Sequence, residues 1–304
     1  MSTRAAGVLL ALVTATISGF AVFLNGYAVK RFDDATVYTT AKNGVAGILL
    51  VLVALPLLTS SGQAGRVAPR PRSGLQWAAL LALGVIGGSV PFVLFFEGLA
   101  RASSTQAAFI HKTLVIWVAL LAVPLLRERL AWPHFAAIGL LVAGQVAIAG
   151  DAGTIAIGAG ELMIFAATLL WAIEVVFVKR LLESLAAPTL AAARLGIGTA
   201  LLLAFVAVSG RWSELASLGT AEWGWALLTG LLLAGYVGTW YAALARAQAV
   251  DVTAVLVLAV VVTALLDRGI EGTPLDLLGV GLVAAGSLLV AILALRPGAR
   301  PATA

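Results

Sequence analysis

The chain has 304 residues, of which 62% are hydrophobic and 11% charged, with a formal net charge of +5. Soluble domains carry about 25% charged residues, so a chain this apolar cannot clothe a water-facing surface and needs lipid as its solvent. The lack of cysteine excludes disulfides, thiolate metal sites and cysteine nucleophiles, and the two histidines, His111 and His134, have no HExxH-like spacing for zinc.

The charges cluster in short gaps between long apolar runs, which is the pattern of membrane helices and not of a barrel. Met1-Ser-Thr-Arg4 precedes an apolar stretch that continues to about Val29. No small-residue cleavage site precedes a soluble domain, so this stretch is read as a first spanning helix, not a signal peptide. Crossing the hydrocarbon takes roughly 20 residues, and ten runs qualify, at about 5–29, 36–58, 74–100, 103–126, 133–150, 158–182, 188–209, 222–246, 250–266 and 275–295. Arg66-Val-Ala-Pro-Arg-Pro-Arg72 marks the longest loop, and Pro133, Pro188 and Pro274 stand at helix starts, where a missing N–H costs little. Ser103-Ser104 and Asp251 suit N-caps.

Lys and Arg counts set the expected orientation. With a cytoplasmic N-terminus, that side holds Arg4, Arg66, Arg70, Arg72, Arg127, Arg129, Lys179, Arg180, Arg246, Arg296 and Arg300, eleven in all, against Lys30, Arg31, Arg101, Arg211 and Arg268 on the other. The excess favours both termini in the cytoplasm of an inner (cytoplasmic) membrane, which an even number of spans requires. These loop positions account for the positive charge, so no nucleic-acid partner is expected.

The chain also repeats itself. Glu97-Gly-Leu-Ala-Arg-Ala102 resembles Ala242-Ala-Leu-Ala-Arg-Ala247, each closing the third span of its half. Arg127-Glu-Arg-Leu130 answers Ile270-Glu-Gly-Thr-Pro-Leu275 after the fourth, and Gly139-Leu-Leu-Val-Ala-Gly-Gln145 answers Gly281-Leu-Val-Ala-Ala-Gly-Ser287 in the fifth. Lys42-Asn-Gly44 in span two answers Arg194-Leu-Gly196 in span seven. Four matches in the same order indicate a duplication, with halves at 1–150 and 151–304. Five spans per half make the second half enter the membrane from the opposite side, giving an inverted repeat with a binding site expected near mid-membrane. The fold class is therefore an all-α membrane protein of ten transmembrane helices in two inverted five-helix repeats.

These halves, the Glu-x-Leu segments after spans four and nine, the Leu-Ala-Arg-Ala segments and Ala187-Pro-Thr-Leu-Ala-Ala-Ala-Arg194 resemble the drug/metabolite transporter superfamily, specifically its EamA group, over about 5–295. The resemblance implies export or exchange of amino acids and other metabolites. It also implies a central cavity lined by spans one to four and six to nine, with spans five and ten peripheral. The chain departs from the family pattern at Lys42, where an arginine is frequent, at Glu97, where a small or aromatic residue is usual, and at the polar His111-Lys112-Thr113 in span four.

Charges inside spans cost about 2.5–3.5 kcal/mol each on insertion scales, which makes them candidates for function. Lys112 lies roughly 12 Å into span four, with His111 beside it, and Glu174 sits mid-depth in span six, one turn after Trp171. Glu174 is read as a proton-coupling or cation-binding group, or as one half of a structural ion pair with Lys112. Lys42 and Arg194, each roughly 9 Å into its span, are read as basic gates towards opposite membrane faces for an anionic or zwitterionic substrate, or as side chains snorkelling to the interface. Tyr236 and Trp240 share one face of span eight, and Trp117, Asn25 and Gln145 add amphipathic or polar groups. Glu97 is expected to pair with Arg101, Glu128 and Glu271 to pair at helix ends, and Gly84, Gly87 and Gly88 before Pro91 to bend span three, making spans three and eight a mobile pair that would suit a gate. The substrate-binding or gating set is thus Lys42, His111, Lys112, Trp117, Trp171, Glu174, Arg194, Tyr236 and Trp240.

A secondary transporter fits these features best, since no GxxxxGK[ST] nucleotide loop is present. An intramembrane lipid-modifying enzyme or a non-transporting assembly component are the alternatives; the candidate charges lack catalytic spacing. The expected partners are a small-molecule substrate and membrane lipid, with a coupling proton or ion and a homodimer left open. No cofactor is expected.

Overall fold

The structure, a computed structural model, describes residues 3–59, 68, 70–102, 104–149 and 158–295. Ser103, the expected cap of span four, and Arg66 lie outside the described residues. Nine described helices are long and apolar enough to cross a membrane: Thr3–Arg31, Ala35–Leu57, Gly74–Leu99, Phe109–Leu126, Ala159–Leu181, Ala187–Val208, Thr220–Leu244, Ala249–Glu271 and Leu277–Leu295. A shorter apolar helix, Trp132–Ile148, takes the place of span five and completes ten. Among the described residues there is no strand, only an isolated bridge between Ala68 and Leu185, which ties the loop after span two to the turn after span six.

The exterior is greasy. Ile48, Val53, Leu231 and Leu288 are each more than half exposed, whereas Lys42, Glu174, Arg194 and Asp251 are buried. That is the inverse of a water-soluble protein and suits a bundle solvated by hydrocarbon.

Helix neighbours obey one pseudo-two-fold rule. Span one packs on spans eight and nine, as span six packs on spans three and four. Span two packs on span eight, as span seven packs on span three, while span two meets span seven and span five meets span ten. The last two pairs fix the sense of the repeats. Gly44 faces Thr199, Gly47 faces Leu195 and Gly196 faces Val51, so span two runs antiparallel to its own counterpart. Gly144 against Gly279, and Gly286 against Ala137, show the same for spans five and ten. Equivalent helices running in opposite directions are an inverted repeat.

Both fourth spans are broken at matching positions. Span four is helical over Ser104–Lys112 and again over Leu114–Leu126, and span nine over Ala249–Leu256 and Ala259–Leu266. Each then closes on a left-handed residue, Arg127 with φ 55° and Gly272 with φ 72°. Arginine pays conformational strain there that glycine does not. The turn places Glu128 so that its carboxylate accepts from the N–H groups of Ala249 (2.6 Å) and Val250 (3.2 Å). Glu128 therefore caps the start of span nine and does not pair with the arginines beside it. Glu271 accepts from Tyr27 of span one. Asp251, expected as an N-cap, lies inside the first turn of span nine and pairs with Arg4 at 2.8 Å.

Span three differs from span eight. It winds as a π-helix over Gly84–Ser89, while span eight is α-helical throughout Thr220–Leu244. Pro91 explains the distortion, since it lacks the N–H that the Gly87 carbonyl would take in an α-ladder. The distorted turn packs on span seven, not on span eight as the glycine pattern suggested. A Cβ on Gly88 would lie 1.8 Å from the Arg194 carbonyl oxygen, and one on Gly198 2.5 Å from the Gly88 carbonyl oxygen. This crossing admits only glycine. Gly88→Ala is expected to destabilise the purified protein by about 1–3 kcal/mol through overpacking, read as a lowered melting temperature in detergent. Gly139→Ala, whose Cβ meets nothing within 4 Å, is expected to melt like the parent; equal melting of both variants would refute the crossing.

Candidate functional site

The bundle holds a partly open cavity of about 130 Å³ lined from spans one, two, three, four, six, seven and eight. Of the residues singled out in the sequence, Lys42, His111, Trp171, Glu174, Arg194, Tyr236 and Trp240 line it, together with Asn25. Lys112 and Trp117 do not. Lys112 is buried beside His111. Trp117 donates to the Thr113 hydroxyl at 3.1 Å and packs edge-on to Phe165. Gln145 donates to Leu141 O within span five, away from the cavity.

One wall is an ion pair. Arg194 Nη2 lies 3.2 Å from Glu174 Oε2, both side chains almost completely buried. The partner of Glu174 is thus Arg194 and not Lys112. Tyr241 donates its hydroxyl proton to Glu174 Oε1, so both carboxylate oxygens are engaged. Arg194 Nε donates to the Gly87 carbonyl at 3.1 Å, which also receives Trp171 Nε1 at 3.4 Å. Gly88 O receives Asn43 Nδ2 at 3.4 Å. The π-turn therefore supplies carbonyls to the cavity wall, and glycine at position 87 leaves room for Glu174, whose Cγ would lie 2.8 Å from an added Cβ.

The other wall holds Lys42 in an aromatic cage. Its Nζ stands 4.0 Å from the Phe96 ring centroid, 4.8 Å from that of Tyr38 and 5.8 Å from that of Phe92. These are cation–π distances. Its hydrogen bond is a long one, 3.5 Å to Asn25 Oδ1, an oxygen that also accepts from the Tyr38 hydroxyl. Arg194 Cζ lies 6.0 Å from the same Phe92 ring. Lys42 and Arg194, read from the sequence as gates towards opposite faces, thus approach one aromatic ring in one cavity. Spans two and seven cross antiparallel, which brings their equivalent positions together instead of apart.

Aromatic groups complete the lining. His111 meets Trp171 edge-on at 4.9 Å and Phe95 meets it tilted at 5.5 Å between centroids, and Tyr236 stacks on Trp240 at 6.0 Å with an interplanar angle of 11°. Sequence reading missed Tyr38, Phe92, Phe96 and Tyr241. The four-residue spacings Tyr38–Lys42 and Phe92–Phe96 put each pair on one helix face and were the available signal; nothing local marks Tyr241.

Two polar clusters stand at the two ends of the bundle. At the N-terminal end, Asp251 holds Arg4 and lies 3.7 Å from His134 Nε2, while Lys179 donates to the carbonyls of Leu244 and Ala247. At the other end Arg211 bridges Asp34 (3.3 Å) and Glu97 (3.4 Å), and Glu97 also takes Arg101 at 2.7 Å and Thr36 at 2.8 Å.

Removing one member of a buried ion pair leaves an uncompensated charge and costs about 3–5 kcal/mol. Arg194→Gln is therefore expected to lower the melting temperature of the purified protein sharply. The double variant Glu174→Gln/Arg194→Gln should recover much of the loss, because no isolated carboxylate is left. A single variant that melts like the parent would show that the pair does not hold this wall.

One solved crystal structure superposes with a TM-score of 0.74 over 97% of this chain and 100% of its own, at 17% sequence identity; at that identity it speaks for the fold alone. A comparison with curated proteins finds no match. The sequence profile of the EamA-like transporter family matches twice, over residues 5–150 and 158–292. Two matches that follow one another along nearly the whole chain, on a bundle whose equivalent helices run in opposite directions, show that the chain belongs to the EamA-like transporter family.

Proposed function

We propose that the protein is a secondary transporter that exports or exchanges a small metabolite, such as an amino acid or a drug-like compound, by alternating access through the central cavity. The observation that carries this reading is a charged, aromatic pocket lined by both inverted repeats, with a cluster of ion pairs at each end of the bundle. An inverted pair of half-bundles can adopt two similar arrangements that open to opposite faces. The matching breaks in spans four and nine, at Thr113 and at Val257-Leu258, give each half a joint at corresponding depth. Opening to one side would separate Asp251 from Arg4, and opening to the other would separate Arg211 from Asp34 and Glu97. Glu174 is the candidate for proton coupling, since protonation would release Arg194.

The Lys and Arg distribution supports cytoplasmic termini in an inner membrane. The chain's freedom from cysteine makes this simple to check. Ser213→Cys is expected to react with a membrane-impermeant maleimide in intact cells, and Ser73→Cys only after the membrane is opened. The reverse pattern would overturn the orientation.

The transport reading is tested by uptake and counterflow in proteoliposomes with amino acids, nucleosides and cationic drugs. Saturable counterflow of at least one is expected, and its complete absence across the set would refute transport. With a substrate in hand, Glu174→Gln should lose the dependence of uptake on an imposed pH gradient; an unchanged dependence would remove Glu174 from coupling.

A further inference from the structure

The charges lining the cavity do not balance. Two cations, Lys42 and Arg194, face one carboxylate, Glu174. That carboxylate is already spent, with Oε2 on Arg194 and Oε1 on Tyr241. Lys42 forms no ion pair among the described residues, and of its three ammonium protons one reaches a hydrogen bond, the long one to Asn25. Two residues of the lining each carry a buried polar atom without a partner: Nη1 of Arg194, and Nδ1 of His111, which donates or accepts according to the tautomer. Buried polar groups without partners are rare in finished structures and call for an occupant. The occupant must therefore bring negative charge and hydrogen-bond acceptors. Positive charge on it would find no free carboxylate.

Size and lining set the rest. An engineered apolar cavity of about 150 Å³ holds one benzene molecule, so a cavity of about 130 Å³ suits a body of similar bulk. Trp171, Tyr236 and Trp240 in the lining supply aromatic, largely apolar surface for it.

We propose that the cavity is selective for small organic monoanions: the Lys42 ammonium, caged by Tyr38, Phe92 and Phe96, takes the anionic head group, and the aromatic wall takes the apolar body. This rests on the transport reading in taking the cavity as the substrate's path, and it narrows that reading, since zwitterionic amino acids become a disfavoured class. Zwitterions and cations are the disfavoured classes, because the bound ammonium of either would sit near Lys42 and Arg194 with no carboxylate to answer it.

Three probes share one ring and side-chain length and differ in net charge: 3-phenylpropionate, phenylalanine and phenethylamine. Equilibrium binding to the purified full-length protein in detergent is expected to favour 3-phenylpropionate at least tenfold over phenylalanine, with phenethylamine weakest. Lys42→Gln should weaken 3-phenylpropionate at least tenfold while melting no lower than the parent, since it removes a buried cation that has no counter-ion. Lys42→Arg should retain the order of preference. Equal or tighter binding of phenylalanine or phenethylamine, no saturable binding of 3-phenylpropionate, or unchanged binding by Lys42→Gln would each overturn the proposal. The two readings fail separately. Lys42-dependent binding of the anion without flux in proteoliposomes would refute transport and leave the anion site standing. Flux of a zwitterion or cation that ignores Lys42→Gln would refute the anion site and leave transport standing.

Discussion

The structure depends on how it accommodates charge where water is absent. An unpaired carboxylate in the middle of a bilayer-spanning bundle is costly, and Glu174 is tolerated because Arg194 and Tyr241 both reach it. Arg194 is in turn held by a backbone carbonyl that a straight helix would not present. Pro91 withholds the N–H expected by Gly87, the helix widens into a π-turn, and the freed carbonyl meets the guanidinium. Glycines at 87, 88 and 198 let the helices come close enough for that bond. A proline, three glycines, a tyrosine and an ion pair thus act as one unit, and it forms one wall of the cavity.

The two halves share a plan and differ in its use. Spans two and seven carry a basic residue at the same position, and their antiparallel crossing brings both Lys42 and Arg194 within about 6 Å of the Phe92 ring. Arg194 has a carboxylate beside it, and Lys42 has aromatic rings. The π-turn follows the same division, present in span three and absent from its counterpart, span eight. The duplicated scaffold places equivalent helices about one pseudo-two-fold axis, and departures from the symmetry give the cavity two unlike walls.

The polar layers at the bundle ends follow similar economy. Arg127 accepts a strained left-handed backbone, and the turn it makes puts Glu128 on the first free N–H groups of span nine. The same span carries Asp251, which holds Arg4 from span one. The broken span nine is therefore fastened at its N-terminal end by charge.

By itself the sequence determined the solvent, the number of spans and the inverted duplication. These follow from hydrophobic run length, the positions of Pro and Arg, and short matches in register, all of which are local properties of the chain. It also named most of the polar and aromatic groups that line the cavity, because a charge inside an apolar run is conspicuous wherever it points. Only the tertiary structure decided who meets whom. Glu174 pairs with Arg194 and not Lys112, Glu128 caps a helix instead of binding an arginine, and Lys42 and Arg194 share a cavity instead of guarding two faces. Tyr38 stands four residues before Lys42 on one helix face, but Phe96 reaches Lys42 and Tyr241 reaches Glu174 across helices, and spacing along one helix cannot report those contacts. The physical reason is that periodicity fixes which face of a helix a residue occupies, while the crossing of helices, set here by glycine contacts and one proline-induced π-turn, fixes what that face touches.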